Sequence, residues 1–209
     1  MPDTLKTHHS ARSGRRQLLG IIALFLLPPV LAWVAWYYLN SYGVSTTSNA
    51  GTLIQPARPL IEGGLHNSQA DEPQDFSELR GRWVYVIYAG SDCAARCREQ
   101  LYVTRQIRIG VNKDMSRVRR LLVTKQPLTP TRRDELVQQH PDLIIAQPDR
   151  SAHQPDWQQP FEDVRFDTSG EYYFLVDPLG NLMMYYDLTV PAKGVRQDLQ
   201  KVLKISQIG

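Results

Sequence analysis

Residues Leu18–Leu39 read LLGIIALFLLPPVLAWVAWYYL, a run of 22 without one charged side chain. A bilayer core needs about 20 apolar residues in a helix. The Pro28–Pro29 pair would break a helix in water, but such breaks are tolerated within membranes. Trp33, Trp36, Tyr37 and Tyr38 gather at the far end, where amphipathic rings suit the headgroup zone. Arg12, Arg15 and Arg16 flank the near end. A cleaved signal would have a shorter apolar stretch, ending in small residues rather than aromatics. The segment is therefore expected to be a single transmembrane helix. By the positive-inside rule, residues 1–17 form a cytoplasmic tail and everything beyond Leu39 is translocated, with the chain held in the inner membrane and its C-terminal part in the periplasm.

The net charge of +3 lies entirely in residues 1–17, where Lys6, Arg12, Arg15 and Arg16 face Asp3 alone. The other 192 residues carry 20 basic and 20 acidic side chains. Nothing here argues for a nucleic-acid partner, which needs basic residues gathered on one folded face. Residues 40–75 are rich in Ser, Thr, Asn, Gly, Pro and Gln, lack apolar periodicity, and read as a linker. Residues 76–209 suffice for one domain with a core.

Within that domain Trp83–Tyr88 is a near-continuous β-branched and aromatic run, expected for a strand buried on both faces. Helical spacing follows from Cys93 to about Ile109. Val118–Val123 reads as a strand. Thr129 and Pro130 open a helix that runs to about Gln139. Leu143–Ile145 is a short strand, and residues 147–163 form a polar loop. Tyr172–Val176 and Leu182–Tyr186 make a hairpin about Asp177-Pro178-Leu179-Gly180. A helix over Pro191–Ile205 closes the chain, with Val195, Leu199, Val202 and Leu203 on its apolar face. Strands alternating with helices imply an α/β domain with a central mixed sheet flanked by helices, and the order suits a thioredoxin-like fold.

The chemistry lies in Cys93 and Cys97, the two cysteines of the chain, which follow a buried strand and a turn at a helix start. Helix N-termini present unpaired amides and a partial positive charge, which favour thiolate. A spacing of four places both sulfurs on one helical face. The pair can close a disulfide with some backbone adjustment, or clamp a soft ion such as Cu(I). An inert disulfide or two packing cysteines are the structural alternatives; a bridge closing so short a loop adds little stability.

The stretch Leu79-Arg80-Gly81-Arg82-Trp83-Val84 leading to Ser91-Asp92-Cys93-Ala94-Ala95-Arg96-Cys97 resembles the Sco (SenC) family of copper-handling assembly factors. Further likeness lies in Leu122-Val123 with Pro130, and in Tyr173-Phe174-Leu175-Val176-Asp177-Pro178-Leu179-Gly180. The resemblance covers roughly residues 76–205. It implies a membrane anchor, a thioredoxin-like domain, and a role in maturing cytochrome c oxidase, with a subunit of that enzyme or another assembly factor as partner. It also implies copper ligands consisting of both cysteines and one histidine. Two departures stand out. Ala94 and Arg98 follow the cysteines where the family has proline, and Thr168 holds the place of the family histidine. Thr is a poor ligand for a soft ion.

His153, in the polar loop, is the candidate replacement ligand, with a solvated loop histidine as the simpler reading. His140, His66, Met183 and Met184 carry simpler readings. His140 sits at a helix end, where a positive imidazole suits the dipole; His66 lies in the linker; the methionines pack. Arg96 and Arg98 stand ready to stabilise a thiolate. The expected activity is thiol–disulfide exchange or transient copper contact during oxidase assembly. Cys93 would be the attacking thiolate and Cys97 its resolving partner. The alternatives are a non-catalytic scaffold for oxidase assembly and a general periplasmic thiol–disulfide oxidoreductase, although C-x-x-C is the usual spacing in the latter.

Overall fold

The computed structural model describes residues 11–41, 48–60, 65–67, 76–90, 92–148, 159–161 and 171–206. The chain divides into two units, Met1–Ser48 and Asn49–Gly209. In the first, helix α1 (Ala11–Ser41) runs through Pro28 and Pro29 without interruption. Its stretch Gly14–Tyr38 is long and apolar enough to cross a membrane, and none of it is buried against protein. Water gives such a surface no favourable place, so the helix supports a single-pass anchor.

The second unit is built on one mixed sheet of β1 (Thr52–Pro59), β2 (Leu65–Asn67), β3 (Trp83–Ala89), β4 (Val118–Thr124), β5 (Leu143–Pro148), β6 (Tyr172–Val176) and β7 (Asn181–Asp187). Its helices are α2 (Ala95–Gly110), α3 (Pro130–Gln139) and α4 (Ala192–Ile205). The strand order is β1-β7-β6-β3-β4-β5-β2. The β3–β4 and β4–β5 pairs are parallel, joined by α2 and α3, and the other pairs are antiparallel.

All seven residues of β3 are buried, as its unbroken apolar sequence requires. Trp83, Tyr85, Ile87 and Ala89 share one cluster with the buried residues of α2, α3 and α4. Val84, Val86 and Tyr88 share a second cluster on the other face with Leu79 and Phe161, contributed by the short 3-10 helices Phe76–Leu79 and Gln159–Phe161. In β7, Leu182 joins the second cluster while Met184 and Tyr186 join the first. A bulge causes the switch: Leu175 and Val176 of β6 face Met184 and Leu182, leaving Met183 as the extra residue. Met184 is buried and Met183 half-buried against the same cluster, so both methionines pack as expected.

The stretch read as linker supplies both sheet edges, and that reading is corrected over β1 and β2. An edge strand has one partner and exposes most of its side chains. In β1 Ile54 alone is buried, and Pro56 and Pro59 are admissible because an edge has spare N–H positions. No alternating pattern was present to be read. The chain is fastened at its entry to β1, where Ala50 N and Gly51 N donate to the Asp198 carboxylate of α4 at 2.7 and 2.9 Å. A Cβ on Gly51 would fall inside the ring of Tyr186, so only glycine fits.

A second buried charge holds α2 to the sheet. Arg120 of β4 is fully buried beneath the helix. It grips Asp142 bidentately at 2.9 and 2.8 Å and donates to Leu101 O of α2 at 2.8 Å. Burial pushes the Asp142 carboxyl up, but the hydrogen bonds and charge of Arg120, with Arg108, hold it below its ordinary value. His140 caps α3 by donating its backbone N–H to Leu136 O at 2.8 Å. The expectation of a positive imidazole there is corrected. The ring is buried, and burial, then Arg120 and Arg105, depress its pKa, so it stands neutral beside two guanidiniums.

Two predictions follow from this network. Asp142→Ala strands the Arg120 charge in the core and should lower unfolding stability by about 3 kcal/mol in urea titration. The depressed His140 pKa contributes stability that is full above its ordinary value of 6.5 and is lost as pH falls below it. Melting curves taken stepwise from neutral pH downward should show this decline, and His140→Gln should flatten it.

Candidate functional site

Strand β3 ends at Ala89, whose carbonyl accepts from Lys125 N at 3.0 Å, and the chain turns through Gly90 toward α2. Cys93 precedes the helix rather than opening it. Its φ of +47° lies in the left-handed region, which costs a non-glycine residue about 1 kcal/mol. Ala94 is extended and acts as N-cap without a side-chain cap, and Ala95 is the first helical residue. Cys97 therefore occupies the third helical position, within the turn where amides are unpaired. The expectation that both cysteines share one face of the helix is corrected. The left-handed turn at Cys93 brings the Cα atoms to 5.1 Å, and the sulfurs are joined as a disulfide.

Both cysteines are buried and belong to the cluster formed by β3, α2 and α4. The pair thus sits at a helix entry while its sulfurs lie within packed side chains. Arg96, in the first turn, forms an exposed 3.0 Å ion pair with Glu171 at the foot of β6. Arg98 is exposed.

Among the described residues, the other sequence candidates do not converge on the cysteines. His153 and Thr168 lie outside the described residues. His66 is in β2, three strands from β3 in the sheet order. His140 is engaged in the buried group around Arg120, and Met184 accepts from Tyr186 Oη at 2.7 Å. Among the described residues no group of three His, Cys, Asp or Glu side chains is placed to hold a metal. Two sulfurs alone fit a soft monovalent ion in linear coordination and nothing more demanding.

The hairpin motif has a structural explanation. Asp177 accepts from Leu179 N, Asn181 N and Asn181 Nδ2 at 2.8–2.9 Å, and Gly180 adopts φ +89°. Residues that sequence reasoning missed are Arg120, Asp142 and Asp198. Their one signal was a charged side chain on an otherwise apolar face, at Arg120 within β4 and at Asp198 beside Val195 and Leu199.

Residues 83–206, more than half of the chain, match the family described as transmembrane-like, thioredoxin-like, C-terminal domain. The chain belongs to that family. No curated protein matches it by sequence. Solved structures similar to this thioredoxin-like protein include apo Sco1 from Thermus thermophilus, at 18% identity and TM-score 0.57, covering 76% of this chain and 99% of the other. Copper-bound yeast Sco1 gives 13% identity and TM-score 0.58, covering 72% and 95%. BsSco, a Sco-family cytochrome c oxidase assembly protein with a disulfide switch, gives 10% and 0.55, covering 74% and 99%. At these identities the likeness is one of fold. The thioredoxin-like domain thus has the architecture of the Sco proteins.

A bridge spanning five residues removes little entropy from the unfolded chain, about 2 kcal/mol. Reduction should therefore leave far-ultraviolet circular dichroism unchanged and lower stability by no more than that amount in paired urea titrations.

Proposed function

We propose that this protein is a membrane-tethered, Sco-like factor that assists cytochrome c oxidase assembly through Cys93 and Cys97. What carries the reading is the pair's position after the central strand, at the entry of α2, close enough to bridge. It is supported by the fold shared with BsSco and with copper-bound yeast Sco1. The tail of residues 1–17 would stay in the cytoplasm, α1 would cross the inner membrane from Leu18 to Leu39, and the domain would act in the periplasm on an oxidase subunit or another assembly factor.

In the exchange, a thiolate of the partner attacks one sulfur of the disulfide. The Cys93–Cys97 bond breaks, a mixed disulfide forms, and the second sulfur leaves as a thiolate facing the α2 amides. A second thiol of the partner resolves the mixed disulfide. The partner departs oxidised, and Cys93 and Cys97 hold the two electrons as thiols. In the reverse direction reduced Cys93 attacks and Cys97 resolves. Both sulfurs are buried, so the entry turn must open for either direction. The left-handed backbone at Cys93 is the part that gains from opening.

Cu(I) is the second cargo to weigh. The two sulfurs suit it without a third ligand, Thr168 is unsuited to replace an imidazole, and His153 is the candidate that a titration tests. The burial of both sulfurs favours one further reading, a scaffold that keeps the fold and holds an assembly intermediate by its surface.

Replacing both cysteines, Cys93→Ser and Cys97→Ser, should reduce assembled oxidase to the level of a strain lacking the protein. Full assembly with that variant would overturn the redox and copper readings together. Cu(I) titration of the reduced full chain against a competing chelator should give the same curve for native protein and His153→Ala. Loss of binding in the variant would instead assign His153 as a ligand.

A further inference from the structure

The outward face of α4 is basic. Lys193, Arg196, Lys201 and Lys204 are exposed, and the helix's one acidic residue, Asp198, is 2% exposed and pairs with Lys201 Nζ at 3.4 Å. Val195, Leu199 and Leu203 are buried on the opposite side. Cations gathered on the exposed face of a helix are attracted to an anionic lipid surface. The helix ends in Ile205, an apolar side chain left 81% exposed. Near its start, Lys193 and Arg196 line a recess of about 160 Å³ with Gln106, Ile107 and Ala192. The groups facing this surface from α2 include Gln106 and Arg196's neighbour Gly110, where a Cβ would come within 2.9 Å of Arg196 Cδ.

Two observations fix the kind of partner. The chain enters the domain against this helix, since Ala50 and Gly51 bind Asp198. Only residues 42–48 separate Ser41, the last residue of α1, from Asn49, a tether that fully extended spans about 29 Å. The helix is also held as a firm plate. Arg117 donates to Leu203 O and Ser206 O at 3.0 and 2.6 Å, tying its C-terminal end to the start of β4. An anchored chain thus brings a rigid basic face within reach of lipid headgroups.

We propose that the exposed face of α4 docks on the anionic phospholipid surface of the membrane in which the protein is anchored. The proposal rests on the reading of Gly14–Tyr38 as a membrane span. Docking through α4 orients the domain. The recess lies beside Gln106 and Ile107, near the C-terminal end of α2, and the disulfide lies at its N-terminal end. At 1.5 Å per residue the ten steps of α2 from Cys97 to Ile107 span about 15 Å.

The test uses the full chain in nanodiscs of phosphatidylcholine alone or with about a third phosphatidylglycerol, treated with an amine-acylating reagent and read by peptide mass spectrometry. Acylation of Lys193, Lys201 and Lys204 should slow about threefold or more in the anionic discs and recover in 1 M NaCl, where the screening length is about 3 Å. Lys125, beyond the other end of β4, should be unaffected. An Arg196→Gln, Lys204→Gln variant should lose most of the protection at Lys193 and Lys201. Equal acylation in the two discs, or protection that salt does not reverse, overturns docking while leaving the anchor intact. Failure of the chain to incorporate into discs overturns the anchor, and the docking with it.

Discussion

Burial of β3 on both faces is the constraint on which the rest of the domain depends. A strand with seven buried residues must lie inside a sheet, so β6 and β4 are needed on its two sides. It must also be covered above and below, which calls for α2 and α4 on one face and the short 3-10 segments on the other. The chain can leave such a strand only at its ends. The turn that follows Ala89 is therefore the first place where the backbone is free to depart from the ladder, and there Cys93 takes a left-handed conformation and the helix begins. The location of the cysteine pair is a consequence of how completely the strand before it is enclosed.

The same enclosure decides which parts of the molecule could be read from the residues. Strong patterns survive translation into structure: the uncharged run of α1, the continuous apolar run of β3, the Thr129-Pro130 start of α3 and the Asp177–Gly180 turn, whose carboxylate gathers three N–H groups. What escaped reading was written by tertiary contacts. The edge strands β1 and β2 bury too little to show a period. Cys93 looks like a helix residue until the bridge and the uncapped Ala94 draw it out of the helix. His140 at a helix end suggests a cation, but Arg120 and Arg105 lie on its other side. The bulge at Met183 reverses which face Leu182 occupies, and the nearby Gly180 and Pro178 are already accounted for by the hairpin turn.

The domain places charge in its interior where position matters more than net stability. Arg120 donates three hydrogen bonds, two to Asp142 and one to a carbonyl in the middle of α2, one turn after Cys97. Asp198 holds two backbone amides of the incoming chain. Apolar residues could fill both volumes, but neither would define where a helix lies along its axis or where a strand enters. Around the disulfide, by contrast, the packing among the described residues is apolar. The helix is thus secured below its first turn by the buried network, and its entry is tied by the exposed Arg96–Glu171 pair.

The clamp between Ala50 and Asp198 also sets an order of events in synthesis. Its partners are 148 residues apart in sequence, and β1 pairs with β7, itself near the C-terminus. The first strand to leave the ribosome must wait, unpaired, for nearly the whole domain to be made. Contacts of such long sequence separation form late and slowly. Until then the chain beside the anchor presents an open edge, so the nascent protein is most exposed to wrong pairing at the point where it is already attached to its final address.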